Sequence, residues 1–190
     1  MYEGLETVVL FEELAYEDVL PVRWHMQDSA ALAHSRALWF ERNVKLLETC
    51  ISLEEEVHVD KPDERSPHHA ELLRLDMKVS LLMELVGRVY AAAHPLPESR
   101  SIRFNSLGAT VTDSMLKASV GAVGVLEIYL QHCLFEPLRF SGRVVSVSDD
   151  GLAKVKFDNP GEATADLLEK LAFIRHRRQV AVFKRTASEV

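Results

Sequence analysis

The spacing of apolar residues changes character along the chain, and each change marks an element. Between Ser66 and His94, Leu72, Leu75, Val79, Leu82, Val86 and Val89 recur at alternating steps of three and four, which predicts a helix with a heptad seam. Ser66 suits the N-cap and Pro67 the first helical position, while Pro95 and Pro97 bar continuation at the other end. At roughly 1.5 Å per residue such a helix is a rod on the order of 40 Å long. Upstream, Asp28 and Ser29 offer an N-cap for a second helix running to about Leu53, with Leu32, Trp39, Leu46 and Leu53 on one stripe. An acidic connector from Glu54 to Pro67 joins the two. Val19 to Trp24, with Pro21 inside it, reads as an edge or leading strand.

Past Pro97, β-branched runs alternate with turn signals at Ser101 to Asn105, Ala109 to Thr112, Val123 to Gln131, Leu138 to Val147 and Leu152 to Phe157. Asp149-Asp150-Gly151 makes a hairpin of the last two, and short strands at this spacing predict a small antiparallel barrel. A helix from about Glu162 to Arg178 then closes the chain, with Leu167, Leu168, Leu171 and Ile174 on one face.

The seam carries a first functional implication, self-association. With Leu72 as position a, the a sites are Leu72, Val79 and Val86 and the d sites Leu75, Leu82 and Val89, a pattern that by itself favours two strands. The flanking positions change along the rod, from Glu71, Asp76 and Lys78 to Met83, Leu85, Tyr90 and Ala92. A stripe that widens in this way needs more cover than one partner helix gives, so a larger bundle is expected, or a folded domain packed on the C-terminal half. The same spacing also suits an amphipathic core helix within one subunit.

Composition bounds the rest. The 190 residues are 47% hydrophobic, enough for one domain with a sizeable core, and no run approaches the 18 uninterrupted apolar residues of a membrane span. The acidic N-terminus has no basic leader, and Cys50 and Cys133 lie far apart, so a cytoplasmic protein with reduced thiols is expected. The net charge of −7 is uneven: residues 1–70 carry 15 acids against six basic residues, whereas Lys170 to Arg185 carries six basic residues and no acid. That imbalance disfavours nucleic acid as a partner and leaves Arg175, His176, Arg177 and Arg178 as a solvated helix end, a docking patch for a partner or acidic helix, or a local anion-attracting site.

No constellation points to catalysis. Ser114-Met115-Leu116-Lys117 has the S-x-x-K spacing without the companion motifs of acyl-transfer enzymes. Cys133 beside His132 lacks an orienting partner, and Gly121-Ala122-Val123-Gly124 lacks the lysine of a phosphate loop. His58, Asp60, Asp63, His68 and His69 read as a solvated acidic loop leading into a helix, and no metal site is expected there.

Several stretches together resemble a known family. They are Glu13 to Trp24, Arg74 to Lys78 and on through Leu85, Ser101 to Val111, Phe140 to Val145, and Phe173 to Arg178, and their order is similar to that of the PilZ domain in its atypical, helix-inserted, oligomeric branch. The resemblance implies an α+β fold: a six-stranded antiparallel β-barrel with two long helices inserted at residues 28–94, the main part of the barrel and a C-terminal helix at 95–190, and a single domain over 1–190. It also implies a non-enzymatic regulatory protein of bacterial cyclic di-GMP signalling, a homo-oligomer with tetramer the expected size, and an unidentified protein partner.

Ordinary PilZ domains hold cyclic di-GMP through R-x-x-x-R before the first strand and D/N-x-S-x-x-G after the second, because two phosphates need arginine forks and guanine edges need short polar side chains. Where the arginines would stand, this chain has Glu12, Glu13, Glu17 and Asp18. If Gly108 fills the glycine position, Asn105 takes the serine position and Arg103 the acidic one. Arg103, Asn105 and Gly108 are therefore the candidate ligand residues of a degenerate motif, and no cofactor is expected. The alternative is a direct receptor whose arginine site is rebuilt from Arg100, Arg103, Arg143 and the cluster from Arg175 to Arg178.

Overall fold

The computed structural model of the chain describes residues 14–56, 69–112, 119–130, 136–148 and 151–188. Six strands, β1 (Tyr16–Met26), β2 (Ser99–Phe104), β3 (Gly108–Thr112), β4 (Val123–Ile128), β5 (Leu138–Val147) and β6 (Leu152–Phe157), close into a barrel in the order β1-β2-β3-β6-β5-β4, with every pairing antiparallel. Helices α1 (Ser29–Glu56) and α2 (His69–Ala93) lie between β1 and β2 in the chain, and α3 (Glu162–Ser188) follows β6.

Closure follows from the alternation the strands carry. Ile102 and Phe104, Ala109 and Val111, Ala153, Val155 and Phe157 point inward and are buried, while Arg103, Thr110, Lys154 and Lys156 between them face out. Phe140 and Phe157 stack at 4.5 Å inside the barrel, and Tyr16 meets Phe104 at 5.2 Å. A closed sheet has no edge, so the expected edge strand is corrected: β1 pairs with β2 over Tyr16 to Pro21 and with β4 over Val22 to Met26. Pro21 is the last residue paired with β2, at the point where the strand changes partner to β4. Its carbonyl still accepts a bond from Tyr129 N–H at 3.1 Å. β4 ends at Ile128, short of the expected Gln131, which lies outside the described residues.

The face that α1 buries differs from the stripe expected. Leu32, Asn43, Leu47, Cys50, Ile51 and Glu54 are buried, whereas Leu53 is 40% exposed. Residues seven apart drift by about 20° per step around a straight helix, so three such steps carry Leu53 off the face that Leu32 begins. α1 rests on β5 and β4 and packs along α3. Its polar seat is Asn43, whose side chain accepts from Arg139 N–H at 2.9 Å and donates to Arg139 C=O at 2.8 Å. Beside it, Arg42 donates to Glu136 at 2.6 Å, and Arg139 donates to Glu127 at 3.0 Å. Glu127 also meets His25 Nε2 at 3.2 Å.

α3 runs to Ser188, ten residues past the expected end at Arg178, since no glycine or proline follows to stop it. It is preceded by Gly161, whose φ of 86° belongs to the left-handed region and whose missing Cβ leaves room for the Phe40 ring of α1. Leu168 and Leu171 are buried and Leu167 and Ile174 half-buried against the core, as the apolar face predicts. β5 and β6 pair antiparallel as the expected hairpin requires, and Gly151, at φ 73°, donates to Ser148 C=O at 2.9 Å; Asp149 and Asp150 lie outside the described residues.

α2 behaves differently from the other helices. From Ala70 to Val89 every residue but Gly87 is exposed, and the seam residues Leu72, Leu75, Val79, Leu82, Val86 and Val89 are between 50% and 72% exposed. An amphipathic core helix within one subunit is thereby excluded. Its last turn closes with His94 N–H bonded to Tyr90 C=O at 2.8 Å, just before Pro95, as expected. The proposed Ser66 and Pro67 cap lies outside the described residues.

Candidate functional site

The degenerate motif sits on the turn between β2 and β3. Arg103 stands near the end of β2, Asn105 follows it and Gly108 opens β3, so the structure does bring the three candidate ligand residues together. Their chemistry is largely committed to the turn itself. Asn105 is buried, and its side-chain oxygen accepts from Leu107 N–H at 2.9 Å and Gly108 N–H at 3.2 Å. Its own N–H donates to Gly108 C=O at 3.0 Å. An asparagine oxygen used in this way builds a turn and has little left to offer a base edge.

The surroundings are acidic. Arg103 lies directly opposite Glu17 on β1 and Thr110 on β3. A cavity of about 310 Å³ beside the turn is lined by Leu14, Asn105, Ser106, Ala165, Asp166 and Glu169. The two α3 carboxylates at its wall oppose a dianionic occupant. The arginines of the alternative site are dispersed: Arg100 pairs with Glu98, Arg143 lies on β5, and Arg175 is held within the fold.

Arg175 organises the end of the barrel that bears this turn. Its guanidinium lies 3.4 Å from both Asp18 of β1 and Glu54 of α1, and 5.4 Å from the centre of the Tyr16 ring. Glu54 is almost fully buried, so this pair ties α1, α3 and β1 into one unit. The expected basic patch therefore loses its first arginine, half-buried, to ion pairs within the fold. His176 and Arg177 stay exposed, and Arg177 lies over the Phe173 ring at 5.9 Å. No sequence signal announced this cluster, because its acids come from two other elements.

Burial, foremost, pushes the Tyr16 phenol well above its ordinary value of 10.0, and the neighbouring Asp18 charge adds to the shift against the opposing pull of Arg175. The unfolded chain releases this proton near pH 10 while the fold keeps it. Stability from this group is thus complete below about pH 10 and falls as pH rises beyond it. Urea midpoints at about pH 8 and about pH 10.5 should separate more in the wild type than in Tyr16→Phe; equal separations would count against the assignment.

Among the described residues no group of histidine, cysteine and acidic side chains could hold a metal, and no helix is long and apolar enough to cross a membrane. His58, Asp60, Asp63, His68, Ser114 to Lys117, His132 and Cys133 lie outside the described residues.

A closed six-stranded barrel with two helices inserted after its first strand and a third closing the chain defines the class. The sequence profile of the atypical PilZ domain, described as a cyclic di-GMP receptor, matches residues 47–185, and the chain belongs to that family. Among solved structures it is similar to a pathogenic protein from Xanthomonas campestris, a tetrameric PilZ domain described as self-assembled via an unusual helical bundle. That likeness has a TM-score of 0.71 at 23% identity, over 93% of this chain and 96% of the other. Comparison with the curated proteins returned no match.

Proposed function

We propose that this chain is a non-enzymatic, cytoplasmic adaptor in cyclic di-GMP signalling that self-associates through α2 and presents several barrels around a helical hub. The observation that carries this reading is the exposure of the whole heptad seam on a 25-residue helix. An apolar stripe of that length is unstable in water and marks an interaction site. Met83 and Leu85, at flanking e and g positions and also exposed, widen it in the C-terminal half, which favours a tetramer over a pair. The tetrameric Xanthomonas protein, assembled via a helical bundle on the same fold, supports the same number.

Presenting barrels in multiple copies raises avidity for a partner without any new contact. The eroded ligand motif fits this role, since Asn105 is used by its own turn and carboxylates stand where a phosphate clamp would be. Sedimentation equilibrium over micromolar concentrations should give the mass of four chains; a monomer throughout would overturn the proposal.

A second reading is favoured by the description of the family as a cyclic di-GMP receptor. In it Arg103, Asn105 and Gly108 bind the nucleotide directly. Direct binding would make the barrel a receptor, and assembly a secondary property.

A further inference from the structure

α2 packs along no strand and no other helix of the described residues, and its surface stays exposed from Ala70 to Val89 apart from Gly87. Among the described residues, the angle between this rod and the barrel is therefore set where its C-terminal end meets β2. The connector is Pro95-Leu96-Pro97-Glu98. Each proline ring fixes its own φ at about −65°. Each also confines the residue before it, His94 and Leu96, to extended backbone. His94 to Pro97 are thus restricted without a break, and none is glycine. A connector of this kind is a semi-rigid spacer rather than a flexible link.

Side chains pack the same point. Tyr90 is half-buried where Arg88 and Val89 before it are exposed, and its ring stacks on that of His94 at 4.5 Å with the planes 23° apart. Leu96 and Pro97 are half-buried as well, and Glu98 pairs with Arg100 of β2. On the barrel side Tyr129, just past β4, is pinned to β1 by its N–H bond to Pro21 C=O. Burial, foremost, pushes the Tyr129 phenol above its ordinary value of 10.0; Glu127 adds to the shift, Arg23 and Arg139 pull against it, and Tyr90 adds a last upward push. Tyr90 of the rod and Tyr129 of the barrel therefore stand within electrostatic reach of each other across the joint.

We propose that Tyr90 to Pro97 form a stiff joint that fixes the angle between α2 and the barrel, so that an assembly built on α2 presents its barrels at set spacings. The consequence for the assembly rests on the adaptor reading; the joint itself is a property of the single chain. Barrels held at one angle meet a partner of matched spacing without first losing rotational freedom, and a flexible link would forfeit that gain.

The test is a distance distribution between two nitroxide labels within one chain, read by double electron–electron resonance. The labels are carried by Ser80→Cys, exposed on α2 outside the seam, and Arg143→Cys, exposed on β5, in a full chain with Cys50→Ala and Cys133→Ser. Labelled chain is diluted into unlabelled chain before assembly, so that only distances within a chain are read. Ser80 stands about 20 Å along the rod from His94, and any swing at the joint is magnified there. A single narrow distribution is expected, broadened roughly twofold or more by Pro95→Gly with Pro97→Gly. Tyr90→Ala should broaden it in the same direction and Tyr90→Phe, which keeps the ring, should not; this pair decides the matter if the proline variant loses its fold by circular dichroism. A broad distribution before any joint residue is changed, or joint variants as narrow as the parent, would overturn the proposal. Sedimentation separates the two readings: a narrow distribution in a chain that runs as a monomer keeps the joint and removes the assembly, whereas a broad one in a tetramer removes the joint and leaves the assembly.

Discussion

Leu82→Asp should convert the assembled protein to single chains while leaving the barrel folded. Leu82 is at a central d position of the seam and 61% exposed on the single chain, so the substitution meets nothing but water until chains associate. In a bundle the same carboxylate enters an apolar interior without a partner, at a cost of roughly several kcal/mol per copy. Repeated in every subunit, that cost exceeds what one seam layer contributes. Light scattering should report a monomeric mass, and far-ultraviolet circular dichroism should retain the strand signal. A variant that keeps the wild-type mass would mean that the seam is not the contact between chains.

Phe104→Ala should act on the opposite half of the molecule. Phe104 is 1% exposed, its ring lies 5.2 Å from the Tyr16 ring, and it directly precedes the turn residue Asn105. Removing it leaves a cavity within a closed sheet that cannot collapse around it, at about 3–5 kcal/mol. For a domain of this size the melting temperature should fall on the order of 10 °C. The assembly should persist, because α2 stands away from the barrel core. An unchanged melting temperature would show that the ring is dispensable, and loss of the tetramer would show that the barrel and the hub are not separable.

The barrel was written clearly in the chain because inward and outward residues alternate on strands such as Ser99–Phe104 and Leu152–Phe157, and a period of two has no other solution. Helix faces were less legible. The α1 face follows 18-residue recurrence, as from Leu32 to Cys50, and its buried set includes Asn43 and Glu54, polar residues that a hydrophobic pattern passes over. What placed them inside are groups far away in sequence: the backbone of Arg139 for Asn43 and the guanidinium of Arg175 for Glu54. The end of α3 was missed for a similar reason, since a run of cations marks a good helix end without requiring one.

The candidate site was legible as a location and illegible as chemistry. Arg103, Asn105 and Gly108 gather on one turn as the motif implied, yet the commitment of the Asn105 oxygen to two backbone N–H groups depends on turn geometry. The acids that frame the turn, Asp166 and Glu169, come from a helix some 60 positions later.

Assembly rather than nucleotide capture is the central claim, and isothermal titration of the purified chain with cyclic di-GMP tests it most directly. The account predicts no saturable heat at micromolar ligand. Saturable micromolar binding that disappears in Arg103→Ala would contradict it.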